Sequence, residues 1–367
     1  MHTPRVIYLV SSPDGDVPAD SDRWNLPLEG DPLQTSYKTY FHAIKDVLTQ
    51  DGFKHLLGII REILGRQIDL DHVNELIIRS EKHGALYHPA SIDINLNEGT
   101  VEIGLHVAVT DKGKASLKEE FSVIRQLNDT WNLPYLPKVY RFVESDTMSF
   151  LLEEWFDGYH EFHISHDSEG KRTTKLWEFG RGYKNLSQEQ TFEIYKQASK
   201  ILTLYYDFQG FNEIYPWHHA AGDFVVKIDG NGTDVRLSTA RRYGPLMHFG
   251  ENTNPFLALF YFFLNLSIRM RLDRIDGVGT LIWTDDSCVE ATTMGFFEAL
   301  QSKEDTTDLP GLVEEFLRLV ASFSQEELMG TFNPLEDHYT GSEDLPVIVN
   351  NLEAHIEKLY VTLQSLP

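Results

Sequence analysis

The sequence predicts an α+β fold: a small antiparallel sheet lobe followed by a mainly helical lobe, with a helical extension before both. Apolar residues follow a helical period over 36–80, alternate with polar residues over 84–108, and return to a helical period from about residue 187. Strands and helices that are segregated along a chain are typical of α+β proteins. We therefore expect two lobes with a cleft between them.

The N-terminal part, residues 1–80, is expected to be a leader and a helical extension. The stretch 1–35 contains SSPDGDVPADSD, whose Pro, Asp and Gly residues favour an irregular leader. The spacing of apolar residues predicts helices in SYKTYFHAIKDVLTQDGFKHLLGIIREILG and in DHVNELIIRS. Asp71 is the expected N-cap of the second helix.

The middle part, residues 81–154, is expected to be a small β-rich lobe. Its first half alternates around a turn at Asn97-Glu98-Gly99, which predicts two antiparallel strands. Leu117, Phe121, Ile124 and Leu127 then form the apolar stripe of a helix. KVYRFVE and SFLLEEWFDG predict two more strands.

The last part, residues 155–367, is expected to be mainly helical. Ser187 with Gln190, and Ser324 with Glu327, have the spacing of capping boxes. The run FLALFYFFLNLSI at 256–268 is too short to span a bilayer and predicts a buried helix. YHEFHISHD is expected to be a solvated loop.

Composition restricts the partners. The 367 residues carry 56 Asp and Glu against 32 Lys and Arg, a formal net charge of −24. Such a surface repels phosphate backbones and anionic lipid, so we expect neither nucleic acid nor a membrane as the main partner. The single cysteine, Cys288, excludes an internal disulfide, and with no secretory signal visible the expected location is cytoplasmic.

The order of these elements resembles the protein-kinase-like superfamily, above all its aminoglycoside and choline phosphotransferase branch. HVAVT (106–110) resembles the strand that carries a phosphate-binding lysine, and LKEEFSVIRQL resembles the helix that supplies the glutamate partner of that lysine, at Glu120. SFLLEEWFDG resembles the hinge. Within 215–242, WHHAAGDFVV resembles the catalytic loop and DVRLSTA the strand that usually ends in a metal-binding Asp.

The resemblance implies a set of site residues. His218 falls on the position of the catalytic base, and Asp223 falls on that of a metal-binding Asn, where its carboxylate would bind Mg²⁺. The lysine position holds Thr110, so a cation would have to come from Lys112 or Lys114. The cofactor implied by the family, ATP with Mg²⁺, is therefore expected to bind weakly or not at all.

Two further positions depart from the family. The second metal-binding Asp falls at Ser238 or Thr239, and a hydroxyl is a poor ligand for Mg²⁺. Arg241 and Arg242 follow at once and would bind phosphate or pair with acids of the chain. A glycine-rich loop is not recognisable, because HGALYHPAS offers only Gly84.

These departures favour a kinase-like protein with lost or altered phosphotransferase activity: a pseudokinase, or a protein that binds a small molecule or protein ligand in the cleft between its lobes. The alternative is an active, divergent ATP-dependent small-molecule phosphotransferase that uses His218 and Asp223. A minor alternative is a metal-dependent hydrolase with His218, His219 and Asp223 as ligands, and the group His160, His163 and His166 invites a similar interpretation. For His218, His219, Asp223 and Glu120 a purely structural role stays open.

Overall fold

The computed structural model describes residues 3–12, 15–81, 84, 86–178, 182–230, 232–250, 253–306 and 311–366. The α+β class is confirmed, since antiparallel sheets and α-helices both contribute extensively. The chain divides into one unit built on Met1–Gly158 together with Gly182, and another built on Tyr159–Glu178 and Tyr183–Pro367. Pro13 and Asp14 of the expected leader lie outside the described residues.

A seven-stranded sheet organises the first unit, in the order β2-β1-β3-β4-β5-β7-β6. The strands are β1 (Arg5–Val10), β2 (Val17–Pro18), β3 (Val73–Ser80), β4 (His88–Leu96), β5 (Gly99–Ala108), β6 (Val139–Glu144) and β7 (Ser149–Glu154). The helices are α1 (Ser21–Trp24), α2 (Tyr37–Leu64) and α3 (Asp111–Trp131). Strands β1 and β3 are parallel, and the other pairs are antiparallel.

The two large helices of this unit pack on opposite faces of the sheet. Tyr40 and Ile44 of α2 join the core cluster that contains Leu105 and Leu152. Leu117 of α3 packs with strand residues whose side chains point to the opposite face of the sheet, among them Ala108. The predicted hairpin β4–β5 and the predicted helix over 115–128 are confirmed.

The helix expected over 71–80 is wrong, because VNELIIRS forms strand β3. Its buried positions, including Leu76, Ile78 and Ser80, alternate with less buried ones, and it pairs with β1 on one side and β4 on the other. Two adjacent isoleucines favour a strand, and pairing on both sides reinforces that preference. Asp71 caps no helix but lies in a short 3-10 turn. Since β1 also belongs to the sheet, the expected boundary at residue 80 falls between strands of one sheet.

The second unit contains more sheet than expected. A five-stranded sheet runs in the order β10-β9-β8-β12-β13, and two short pairs are β11-β14 and β15-β16. The strands are β8 (His160–His166), β9 (Arg172–Glu178), β10 (Gly182–Asn185), β11 (Asn212–Ile214), β12 (Phe224–Asp229), β13 (Gly232–Leu237), β14 (Tyr243–Pro245), β15 (Leu272–Arg274) and β16 (Leu281–Trp283). The helices are α4 (Gln188–Leu204), α5 (Pro255–Arg269), α6 (Ser287–Thr306), α7 (Leu312–Ala321), α8 (Gln325–Gly330), α9 (Asn333–Tyr339) and α10 (Leu345–Gln364).

The solvated loop expected at YHEFHISHD is also wrong, because this segment is β8, an inner strand. Phe162, His163 and Ile164 are all buried there. Side chains on both faces of an inner strand are covered, so the usual alternation of polar and apolar residues disappears. The absence of alternation made the strand hard to recognise.

The helices of the second unit follow the predicted signals. Both capping boxes are confirmed, at Ser187 with Gln190 and at Ser324 with Glu327. Helix α5 is buried as predicted, and none of the helices within the described ranges is long and apolar enough to cross a membrane. Helices α4 and α6 approach closely at Gly295, where an added Cβ would lie 1.9 Å from the carbonyl oxygen of Lys196.

Candidate functional site

The segment predicted to act as a catalytic loop connects β11 to β12. It passes through a cis peptide bond at Tyr215-Pro216 and a short 3-10 turn, His219–Ala221. Gly222 ends the turn with φ of +70°, a conformation that side chains with a Cβ rarely adopt. An added Cβ there would also lie 2.5 Å from Oε1 of Glu161. The loop therefore holds one defined shape.

Asp223 is the last residue of this loop before β12 and is 1% exposed. Its Oδ2 accepts a hydrogen bond from the backbone N–H of His218, at 2.8 Å. Both carboxylate oxygens also accept bonds from the guanidinium of Arg241, each at 2.6 Å. This bidentate geometry is the strongest pairing between Arg and a carboxylate. A Mg²⁺ ion on Asp223 would have to displace the Arg241 guanidinium.

His218 uses one ring nitrogen inside the loop. Its Nδ1 accepts a hydrogen bond from the backbone N–H of Ala220, at 3.0 Å, which places the hydrogen of the neutral ring on Nε2. Burial, and after it the charge of Arg269, lowers the pKa of His218 to about 4. The ring is therefore neutral at pH 7, and its accepting nitrogen is occupied.

His219 is a core residue. It is 1% exposed, and the rings of Phe162, Tyr195, Trp217 and Phe224 surround it at centroid distances of 5.4 to 5.6 Å. Burial lowers its pKa to about 3, so it contributes as a neutral aromatic ring. The packing matches the structural role that the sequence left open for this residue.

Ser238 turns its hydroxyl toward the main chain. Its Oγ donates to the carbonyl of Gly222 at 2.9 Å and reaches that of Asp223 at 3.2 Å. Thr239 beside it is 9% exposed. Ser238, one of the two positions at which the resemblance would place a second metal-binding Asp, thus helps to hold the turn. Within the described part of the chain, no group of three His, Cys, Asp or Glu side chains is arranged to hold a metal ion.

Arg269 is a residue of this site that the sequence did not single out. Its guanidinium donates to the carbonyl of Trp217 at 2.6 Å and to Oδ2 of Asp344 at 2.8 Å. It also stacks over the rings of Tyr215 and Trp217. Its position at the end of a strongly apolar helix could have indicated this role. A charged side chain buried there needs a partner that compensates its charge.

The remaining predicted residues belong to the first unit. Thr110 is the N-cap of α3, and its hydroxyl accepts a hydrogen bond from the N–H of Gly113 at 3.1 Å. Lys114 lies 3.7 Å from Asp111, one helical turn away. Glu120 is 2% exposed on the buried side of α3. The two residues therefore have different roles: Thr110 caps α3 two residues after β5 ends, while Glu120 lies on the buried side of that helix.

His106 and Glu153 form a second acid–base pair that the sequence missed. His106 Nε2 lies 2.9 Å from Glu153 Oε1 across strands β5 and β7. Burial raises the pKa of Glu153, the neighbouring His106 opposes that rise, and the charge of Glu120 adds to it. The alternation of side chains along a strand could have indicated its position. His106 lies two residues before Ala108, and so on the same face of the sheet, the face that packs against α3.

The wider comparison adds no relative. No family model matches this sequence, and no curated protein is similar to it. The kinase-like interpretation therefore depends on the order of the elements and on the residues described above.

Proposed function

We propose that the chain is a kinase-like protein, related in design to aminoglycoside and choline phosphotransferases, whose phosphotransferase activity is lost or altered. The sequence of β4, β5, α3, β6 and β7 supports this proposal, because a small kinase-like lobe needs strands before and after one helix. A loop followed by the hairpin β12–β13 supports it in the second unit. A two-lobed arrangement of the units is part of the same proposal.

The pairing of Asp223 with Arg241 is the observation that carries the loss of activity. Phosphoryl transfer needs metal ions to neutralise the charge that develops on the phosphate oxygens. Asp223 is the residue to which the resemblance assigns metal binding. The Arg241 guanidinium already binds both of its carboxylate oxygens. In this proposal Arg241 takes the place of the metal ion. Its charge stabilises the loop, but it does not bridge the phosphate oxygens of a nucleotide as a metal ion would.

The state of His218 supports the same conclusion. A general base works best when its pKa lies near the working pH and its accepting atom faces the substrate. The pKa of His218 is about 4, and its Nδ1 accepts from the main chain. His218 is thus a loop-shaping residue in this proposal.

The lysine position gives a third argument. Thr110 carries no charge and spends its hydroxyl on the N-terminus of α3. Glu120 of α3 and Glu153 of β7 are buried in the same unit. An acidic surrounding opposes a polyphosphate, and position 110 supplies no cation to offset it.

Thermal unfolding with ATP and Mg²⁺ tests the proposal. We expect about 5 mM ATP to raise the melting temperature by less than about 1 °C, with or without Mg²⁺, because a Kd above the ligand concentration stabilises by less than about 0.4 kcal/mol. Asp223→Asn is the informative variant. Asp129→Asn, an exposed carboxylate of α3, is the matched control.

A large shift that requires Mg²⁺, persists in Asp129→Asn and disappears in Asp223→Asn would contradict the proposal. That result would favour the alternative, an active ATP-dependent phosphotransferase with His218 and Asp223 at its centre. In that case Lys112, Lys114 and Arg241 are the first cations to substitute.

A further inference from the structure

The hairpin of β9 and β10 concentrates positive charge in an acidic protein. Residues 171–185, KRTTKLWEFGRGYKN, contain five Lys and Arg and one Glu, whereas the whole chain has a net charge of −24. We call Lys171, Arg172, Lys175 and Lys184 the basic hairpin residues. All four belong to the described part of the second unit.

Within the described ranges, the basic hairpin residues have no carboxylate partner. Across the residues that the structure describes, none of the four lies within 4.0 Å of a carboxylate oxygen, although the chain has 56 Asp and Glu. Lys175 Nζ donates to the carbonyl of His166 at 2.7 Å, and Arg172 Nη1 donates to that of Trp283 at 3.2 Å. These bonds orient the cations toward main-chain carbonyls, which carry no full negative charge.

One carboxylate approaches the hairpin. Asp167 accepts backbone N–H bonds from Glu169 and Lys171, and these bonds, together with the charges of Lys171 and Lys175, lower its pKa. Asp167 is half-buried, and its carboxylate is occupied by the turn that it shapes. It offsets part of the charge of the hairpin and leaves an excess of cations.

Strand β10 is the outer strand of its sheet. The N–H of Leu186 donates to the carbonyl of Thr174 in β9 at 2.9 Å. Since backbone groups of successive residues point to opposite sides of a strand, the N–H and C=O of Tyr183 and Asn185 point away from β9. All four residues of β10 are exposed, and Tyr183 is 64% exposed beside Trp177 and Lys175.

The opposite edge of the same sheet is closed. Gln197 of α4 donates from Nε2 to the carbonyl of Thr233 at 2.7 Å and accepts from the N–H of Val235 at 3.0 Å, both in β13. Natural proteins commonly cover sheet edges to prevent unwanted pairing. One edge of this sheet is covered by a side chain, while among the described residues no further strand pairs with β10 at the other edge.

We propose that β10 is a docking edge for an extended, acidic peptide segment of a partner protein, which adds to the sheet as a further strand. Backbone bonds to Tyr183 and Asn185 provide the attachment, as in other cases of strand addition. The basic hairpin residues select negative side chains, and they accelerate encounter by electrostatic steering. A peptide fits better than a nucleic acid, because the outward backbone groups of Tyr183 and Asn185 can pair with another peptide backbone, which a nucleic acid lacks.

Fluorescence anisotropy with the full chain tests this proposal. The probe is a fluorescein-labelled nonapeptide in which Glu alternates with Val and Thr. A second probe of equal charge carries Pro at the alternate positions, which removes the backbone donors that a strand needs. We expect saturable binding of the first probe that weakens as salt is raised, and binding of the second that is at least about fivefold weaker.

Three variants complete the test. Lys184→Glu removes charge from the hairpin, and Tyr183→Pro removes an outward N–H. Each is expected to weaken the first probe at least about fivefold. Lys45→Glu makes the same charge change on an exposed face of α2 and is expected to stay within about twofold. Circular dichroism and thermal unfolding confirm that each variant is folded.

Several results would overturn the proposal. Equal binding of both probes would show attraction by charge alone, and unchanged binding by Tyr183→Pro would exclude strand addition. An oligothymidylate of equal charge that binds more tightly than the peptide would make the hairpin a nucleic-acid site. No measurable binding of the first probe at low salt would also refute it.

Discussion

Replacing Arg241 by Ala would leave the carboxylate of Asp223 buried with one hydrogen bond, that from the N–H of His218. Removing one partner of a buried ion pair costs about 3–5 kcal/mol, because the other charge stays desolvated. The side chain of Arg241 is 31% exposed, so water can reach part of the vacated space. We therefore expect the free energy of unfolding to fall by about 3 kcal/mol, the lower end of that range.

Urea denaturation followed by circular dichroism measures this loss. Asp223→Asn keeps an acceptor for the His218 N–H and leaves a guanidinium that water can solvate, so its expected cost is about 1–2 kcal/mol. The double variant should lose less than the sum of the two, with a coupling of at least about 1 kcal/mol. Arg242→Ala, at the exposed neighbouring position, is the control and should change stability by less than about 0.5 kcal/mol.

The same variant tests whether Arg241 takes the place of a metal ion, as the proposed function implies. If Arg241 occupies the place of a cation, Arg241→Ala should gain stability from millimolar Mg²⁺ while the natural chain should not. A loss below about 1 kcal/mol in Arg241→Ala, or costs that add fully in the double variant, would refute the reasoning about the buried pair. A Mg²⁺ response in the natural chain would refute the reasoning about the occupied site.

Three more predictions concern stability. Gly295→Ala should cost at least about 3 kcal/mol, because its Cβ would overlap the carbonyl of Lys196, while Gly330→Ala, where a Cβ meets nothing, should be nearly neutral; equal melting temperatures would contradict this. Thr110→Ala should cost about 1 kcal/mol through the lost cap and leave ATP binding unchanged, with Thr110→Ser close to the natural chain. Burial raises the pKa of Glu213 from 4.5 to about 8. The folded chain thus keeps a proton that the unfolded chain loses, and stability should fall as pH rises between these values. Glu213→Gln should flatten that slope in urea denaturation at pH 5 to 8.5, and an unchanged slope would exclude Glu213 as its source.

Local patterns predicted the elements whose burial is one-sided. The hairpin β4–β5 alternates around a two-residue turn, α3 carries an apolar stripe, and both capping boxes put Ser three residues before Gln or Glu. Each of these signals lies within one or two turns of chain. The residue pattern of such an element does not depend on what it packs against. The α+β class can therefore be predicted from these patterns alone.

Only the tertiary structure decided the elements that depend on distant partners. Residues 73–80 became a strand through pairing with β1 and β4, and β8 became an inner strand that is covered on both faces. The local sequence of such a segment shows its composition. It does not show which distant strands form hydrogen bonds with its backbone.

The candidate site divides in the same way. The sequence by itself determined which residue types stand at the loop: His218 and Asp223, a hydroxyl at 238 and arginines after it. The structure decided what they do, because Arg241 reaches Asp223 across 18 residues and Arg269 reaches the carbonyl of Trp217 across 52. A charge in a folded chain takes its role from the group that compensates it, and burial makes that compensation obligatory. The partner of a buried charge is set by packing in three dimensions, which no local pattern of residues contains.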